Sequence, residues 1–199
     1  MITWSTPVIL TGKYARLEPL TEAHIPGLAE IGIGQDFWHF MLYGDMNTEA
    51  DMRNWVLDIL GRAEKGTDLP FVAIDLTSGR VAGATRYLNI VPKDRGLEIG
   101  GTWYGIDFQR TAINTECKYL LMTHAFETLH AIRVQLKTDS RNERSQKAIE
   151  RIGAKKEGVL RNHMILLDGY IRDSVFYSVL DTEWLDVKKN LEVMMDRWK

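Results

Sequence analysis

Residues 109–115, Gln109-Arg110-Thr111-Ala112-Ile113-Asn114-Thr115, lie between a predicted strand and the start of a predicted long helix. A strand, a short turn and a helix N-terminus together present unpaired backbone N–H groups and the positive end of the helix dipole. That combination suits an anion, phosphate above all. Neither glycine-rich nucleotide pattern is present, so the stretch also reads as an ordinary connection. Glu98 precedes Gln109 by eleven residues on the same predicted strand. A carboxylate half-buried beside a gap in a sheet has its pKa raised toward the range that deprotonates an ammonium. The plainer role for Glu98 is a structural carboxylate bonding backbone donors at the Gly100-Gly101 irregularity. Asn142 and Ser145 stand three apart at another helix start, as a cap and a solvated surface residue or as a ligand-facing pair. His163, on a late hairpin, has an intrinsic pKa of about 6.5 and is a second candidate proton acceptor.

These residues need elements to hold them, and the pattern alternates strand and helix signals. A strand over 15–20 is followed by a helix from about Glu22 to Ile31, with Thr21 as its cap. Phe37, Trp38, Phe40, Met41 and Tyr43 crowd a segment without a clean period, a broken helix that plugs the core or walls a pocket. Met52, Trp55, Val56, Ile59, Leu60 and Ala63 fall on one face of a 3.6-residue helix capped by Thr48 or Asn47. Strands over 71–76, 81–90 and 97–106 form a meander, and Gly100-Gly101 inside the third predicts a bulge or a close approach. A helix over 114–130 and a strand over 132–138 follow. Ser140 and Glu143 match a capping box for the helix that ends at Gly153. A hairpin turns at Asp168-Gly169, and a closing helix carries Trp184, Val187, Leu191, Met194 and Trp198 on one stripe. Packing of that stripe on its own domain is the expectation.

The fold class is therefore α/β, in the order β-α-α-β-β-β-α-β-α-β-β plus a C-terminal helix. The 199 residues read as a single domain with its core over about 10–182 and the extra helix over about 182–198. With 25 Lys+Arg against 27 Asp+Glu, no broad basic field exists for nucleic acid or an anionic membrane. Cys117 alone makes no disulfide and no cysteine-built zinc site, which suits a reducing, cytoplasmic compartment. His24, His39, His124 and His130 lack metal-ligand spacing, so no metal is expected.

Element order and the three stretches together resemble the GNAT N-acetyltransferases, especially the RimJ/RimL-type branch, over about residues 10–182. The family's loop, Gln/Arg-x-x-Gly-x-Gly/Ala, appears here as Gln109-x-x-Ala112-x-Asn114, with both glycines replaced. The resemblance implies a mixed, mostly antiparallel sheet of six to seven strands. It implies that amides from Arg110 to Thr115 cradle the pyrophosphate of acetyl-coenzyme A, used as cosubstrate. Backbone N–H groups around Thr102, Trp103 and Tyr104 would hold the pantetheine and polarise the thioester. Asn142 would bond the pantetheine or phosphate region. Ser145 would protonate the leaving thiolate, since the tyrosine that many members place four residues later is Ile149 here. Glu98 would be the base, and Phe37, Trp38 and Phe40 would wall the acceptor pocket. The implied activity is acetyl transfer to a primary amine, protein N-terminal or small-molecule, by direct attack in a ternary complex, in a monomer or homodimer. Two alternatives of other classes stand beside it: a catalytically silent coenzyme A sensor, and a protein-interaction module built on the aromatic segment and the C-terminal stripe.

Overall fold

In the computed structural model, which describes residues 3–198, the alternation closes into one mixed sheet flanked by helices. Its strands are β1 (Leu10–Thr11), β2 (Ala15–Pro19), β3 (Leu69–Asp75), β4 (Val81–Val91), β5 (Gly96–Tyr104), β6 (Arg133–Asp139), β7 (Lys155–Ile165) and β8 (Ile171–Leu180). The helices are α1 (Ile25–Gly32), α2 (Glu49–Glu64), α3 (Ala112–Thr123), α4 (Glu143–Arg151) and α5 (Trp184–Asp196). The sheet order is β1-β2-β3-β4-β5-β6-β8-β7, and only β5 and β6 run parallel. That is eight strands where six to seven were expected. The extra one is β1, whose two residues are too few to leave a period in the sequence. It is held from outside the strand: the Glu116 carboxylate on α3 accepts the backbone N–H groups of Lys13, Tyr14 and Ala15 at 2.8, 2.6 and 2.6 Å.

Helix α2 buries Met52, Trp55, Val56 and Ile59, the face its period predicts. Thr48 caps it by accepting from Asp51 N at 3.2 Å, while the Asp51 carboxylate accepts in return from Thr48 N at 2.8 Å. Successive side chains of a strand point to opposite faces. Accordingly Trp103 meets Phe37, Trp38 and Trp55 on the α1–α2 side, whereas Thr102 meets α3. On that second side α5 packs on the end of α3 and the turn after it, with Trp184 stacked on Phe126 at 5.2 Å and Val187, Leu191 and Met194 buried. The C-terminal stripe thus packs on its own chain. Trp198 leaves the stripe, 48% exposed, because the helix stops at Asp196.

Two local expectations are corrected. Ser140 does not open α4: its N–H bonds Asp173 O across to β8, and Asn142 caps the helix by accepting from Ser145 N at 2.9 Å. The expected helix over 114–130 begins two residues earlier and loosens into a wider turn over His124–Thr128. Among the described residues, no helix is long and apolar enough to cross a membrane.

Candidate active site

The parallel pair makes the site. Strands β5 and β6 are in register only from Gly96–Glu98 against Arg133–Gln135; past that point they part. On its other edge β5 slips register against β4 where Gly101 takes a left-handed φ of +57°, the bulge that the paired glycines predict. A cavity of about 680 Å³ opens in the gap. At one end its wall carries Thr102, Gln109, Asn114, Asn142 and Ser145; at the other it carries Phe37, Phe40, Tyr43, Arg86, Met164 and Arg172. Glu98 lies at the crotch between them.

The first end joins two helix N-termini. Thr111 caps α3 by accepting from Ile113 N at 3.3 Å. Gln109 Nε2 donates to Tyr104 O at 2.8 Å, and Arg144 Nη2, from the first turn of α4, donates to Gln109 Oε1 at 2.5 Å. Arg110, exposed with φ +60°, is the one residue of the stretch in the left-handed region. Ala112 and Asn114 are both helical, so neither position demands glycine for its backbone. The side chains of Ala112, Ile113 and Thr115 are buried away from the cavity, and Thr115 Oγ1 accepts from Arg151 Nη2 at 3.1 Å. What that stretch offers the cavity is Gln109, Asn114 and backbone amides.

Glu98 is 1% exposed. Its Oε2 accepts from Asn89 Nδ2 at 2.9 Å, Gln135 Nε2 at 2.8 Å and Lys137 Nζ at 3.3 Å, and its Oε1 lies 3.2 Å from Lys137 Nζ. Its partners are side chains, not the backbone donors of the plainer expectation. Oε1 leans over Gly100, where an added Cβ would sit 3.2 Å from it and 2.8 Å from Leu88. His163 is not on the cavity wall: Nδ1 meets Ser174 Oγ at 3.0 Å and the ring packs on Phe176. Burial, then Lys137 and Arg172, lower its pKa, so it is neutral at pH 7.

Of the three aromatics expected to wall the pocket, Phe37 and Phe40 do. Trp38 does not: it is 1% exposed, its indole N–H donates to Gly32 O at 2.7 Å, and it is core. Sequence reading missed the charged residues of this end. Arg86 pairs with Asp68 at 3.0 Å and donates to Tyr43 OH at 2.9 Å. Arg141 pairs with Asp139 at 2.9 Å and stacks on the Tyr170 ring at 3.4 Å. Arg172 donates to Phe40 O at 3.2 Å and lies 4.0 Å from Asp139. Burial lowers the Arg172 pKa, and Asp139 offsets only part of that. None of these has a local sequence signal, because they arrive from β4, β8 and the β6–α4 turn.

A parted parallel pair, with a bulge beside it, opens the cavity between the N-termini of α3 and α4. The chain belongs to the GNAT acetyltransferases: the acetyltransferase (GNAT) domain matches residues 15–155. It is 35% identical over 109 residues to YdaF of Bacillus subtilis, named provisionally as a ribosomal N-acetyltransferase; the match covers 55% of this chain and 58% of that protein. It is 25% identical over 126 residues to the [ribosomal protein uS5]-alanine N-acetyltransferase of Escherichia coli, covering 61% of this chain and 62% of that one. The matches thus span about three-fifths of the length of these curated relatives. The solved structure of a GCN5-related N-acetyltransferase from Brucella melitensis superposes with a TM-score of 0.89 at 29% identity, over 96% of this chain and 86% of that one.

Proposed function

We propose that the chain moves an acetyl group from acetyl-coenzyme A to a primary amine by direct attack in a ternary complex. The observation that carries this reading is the parting of β5 and β6 immediately after Glu98, which leaves one cavity with two chemically different ends. The α3 and α4 N-termini, with Gln109, Arg144 and the amides of 110–115, suit the phosphates; the open edge of β5 at Thr102–Tyr104 suits the pantetheine. Asn142 spends its side-chain oxygen on capping, which leaves its amide N–H groups for the ligand. Acetyl-coenzyme A, when bound, supplies the activated acyl group. Holding both partners in one cavity removes much of the entropic barrier.

Glu98, held by Lys137 and two side-chain amides, takes the proton of the incoming ammonium, directly or through a water over Gly100. Ser145, half-buried on the wall, donates to the departing sulfur. Phe37, Phe40, Tyr43 and Met164 exclude water from the amine. The names of the relatives support a protein N-terminal amine as acceptor. The single cysteine and the near-neutral charge suit a cytoplasmic enzyme acting alone or as a homodimer.

A thermal-unfolding scan tests the cosubstrate. Acetyl-coenzyme A at about a hundredfold over its Kd stabilises the fold by roughly 2.7 kcal/mol, several degrees here, whereas adenosine does not. No shift at millimolar acetyl-coenzyme A would sink the reading, and binding without transfer to any amine would leave a sensor. Glu98→Gln is expected to lower kcat by about a hundredfold with the coenzyme A Kd unchanged. A Glu98→Gln variant with wild-type kcat would remove Glu98 from the mechanism.

A further inference from the structure

Among the described residues, one buried cation on the cavity wall has no counter-ion. Lys118, on α3, is 7% exposed, and its Nζ donates to Thr102 Oγ1 at 2.9 Å, just past the β5 bulge. Thr102 Oγ1 is shared with Thr85 Oγ1 at 2.7 Å. Among the described residues, no carboxylate comes within 4.0 Å of Lys118, whereas Arg86, Lys137, Arg141 and Arg172 on the same wall each have one. Arg144, also without one, is exposed and solvated. An ammonium has three donors, and taking it out of water without an opposite charge costs several kcal/mol unless something at the site uses it.

The groups around Lys118 do not supply that opposite charge. Glu116, on the same helix, turns the other way and spends its carboxylate on Lys13, Tyr14 and Ala15. Burial pushes the Cys117 thiol up to about 12, so it is neutral. Tyr104, across on β5, is raised by burial and neutral as well. Lys118 itself is lowered by burial to about 8. The fold thus keeps an uncompensated positive charge where the β5 edge lines the cavity.

Resting on the acetyl-transfer reading, we infer that Lys118 is a catalytic residue that stabilises the negative charge developing on the reacting thioester. As the amine nitrogen bonds to the carbonyl carbon, charge gathers on the carbonyl oxygen. As the C–S bond breaks, the electron pair leaves on sulfur. The Lys118 ammonium opposes both charges and keeps its proton; Ser145 gives the proton that completes the thiol and regains one from the nitrogen as the amide forms. Preorganised charge of this kind acts only in the transition state and needs no reorganisation at the moment of reaction.

The test is Lys118→Met, which keeps the stem and removes the charge. The ligand-free variant is expected to melt higher than wild type, because a buried unpaired charge is gone. Its kcat and kcat/KM are expected to fall together by about a hundredfold. Wild-type kcat should also decline above about pH 8, as Lys118 loses its proton, and the variant should lack that alkaline limb. Lys118→Gln, which retains a donor for Thr102, should lose activity equally and guards against a packing artefact. A lower melting temperature with undiminished kcat in both variants would make Lys118 a structural residue and overturn the inference. Failure of the acetyl-transfer reading shows separately, as wild-type protein that transfers to no amine.

Discussion

Glu116 and Lys118 stand two residues apart on α3, both buried, both charged, and they sit in opposite situations. The Glu116 carboxylate holds the β1–β2 turn through three backbone N–H groups at 2.8 Å or less. The Lys118 ammonium faces the cavity with one threonine hydroxyl. A buried charge whose bonding capacity is filled specifies local structure, since removing it strands its partners. A buried charge left open costs stability and is retained where chemistry uses it. One short helix thus carries a structural and a functional charge, and burial alone does not tell them apart; the partner list does.

The comparison breaks most visibly at Glu116. Glu116→Ala leaves the buried Ala15 N–H and the part-buried Lys13 and Tyr14 N–H groups without an acceptor, and a loss of about 3 kcal/mol is expected from denaturant unfolding. Acetyl transfer per folded molecule should be unchanged at low temperature; a variant as stable as wild type would erase the contrast with Lys118. The next test asks what satisfied bonding is worth far from the cavity. Thr48→Ala removes half of the capping box of α2 and should cost about 1 kcal/mol with no change in kcat. A loss several times larger would mean that α2 also sets the cavity wall through Trp55.

The smallest effect belongs to an exposed charge. Hydrogen bonds from Arg133 hold Glu157 down at about 2, well under the ordinary glutamate value near 4.5. Its stabilisation is therefore complete above about pH 4.5 and is lost as pH falls toward 2. Because the pair is 34% and 40% exposed, solvent screening keeps its contribution below about 1 kcal/mol. Glu157→Gln should flatten the acid limb of the stability curve by that amount, and a larger flattening would place this pair among the buried ones.

Residue types and spacing made much of the frame legible. The α2 face and the bulge at Gly100-Gly101 both follow from local chemistry, and each stands where it was expected. Failures came where distant chain decides. Strand β1 exists because Glu116, about a hundred residues on, satisfies its turn. Trp38 is core because Trp103 and Trp55 close around it, although its neighbours Phe37 and Phe40 reach the cavity. Ser140 had the right type and spacing for a cap, but Asp173 on the next strand claimed its backbone.

By itself the sequence determined the order of the main elements, the buried face of α2 and the place of Glu98 beside a break in the sheet. Each follows from periodicity, turn chemistry or a helix terminus, all of which act over a few residues. Only the tertiary structure decided which charges are compensated. It set Lys137, Asn89 and Gln135 on Glu98, gave each wall arginine but Arg144 an aspartate, and left Lys118 without one. The pairs of Glu98 with Lys137 and Gln135, and of Arg172 with Asp139, join residues more than thirty positions apart, and Coulomb energy depends on where a charge lies and what surrounds it, not on its place in the chain.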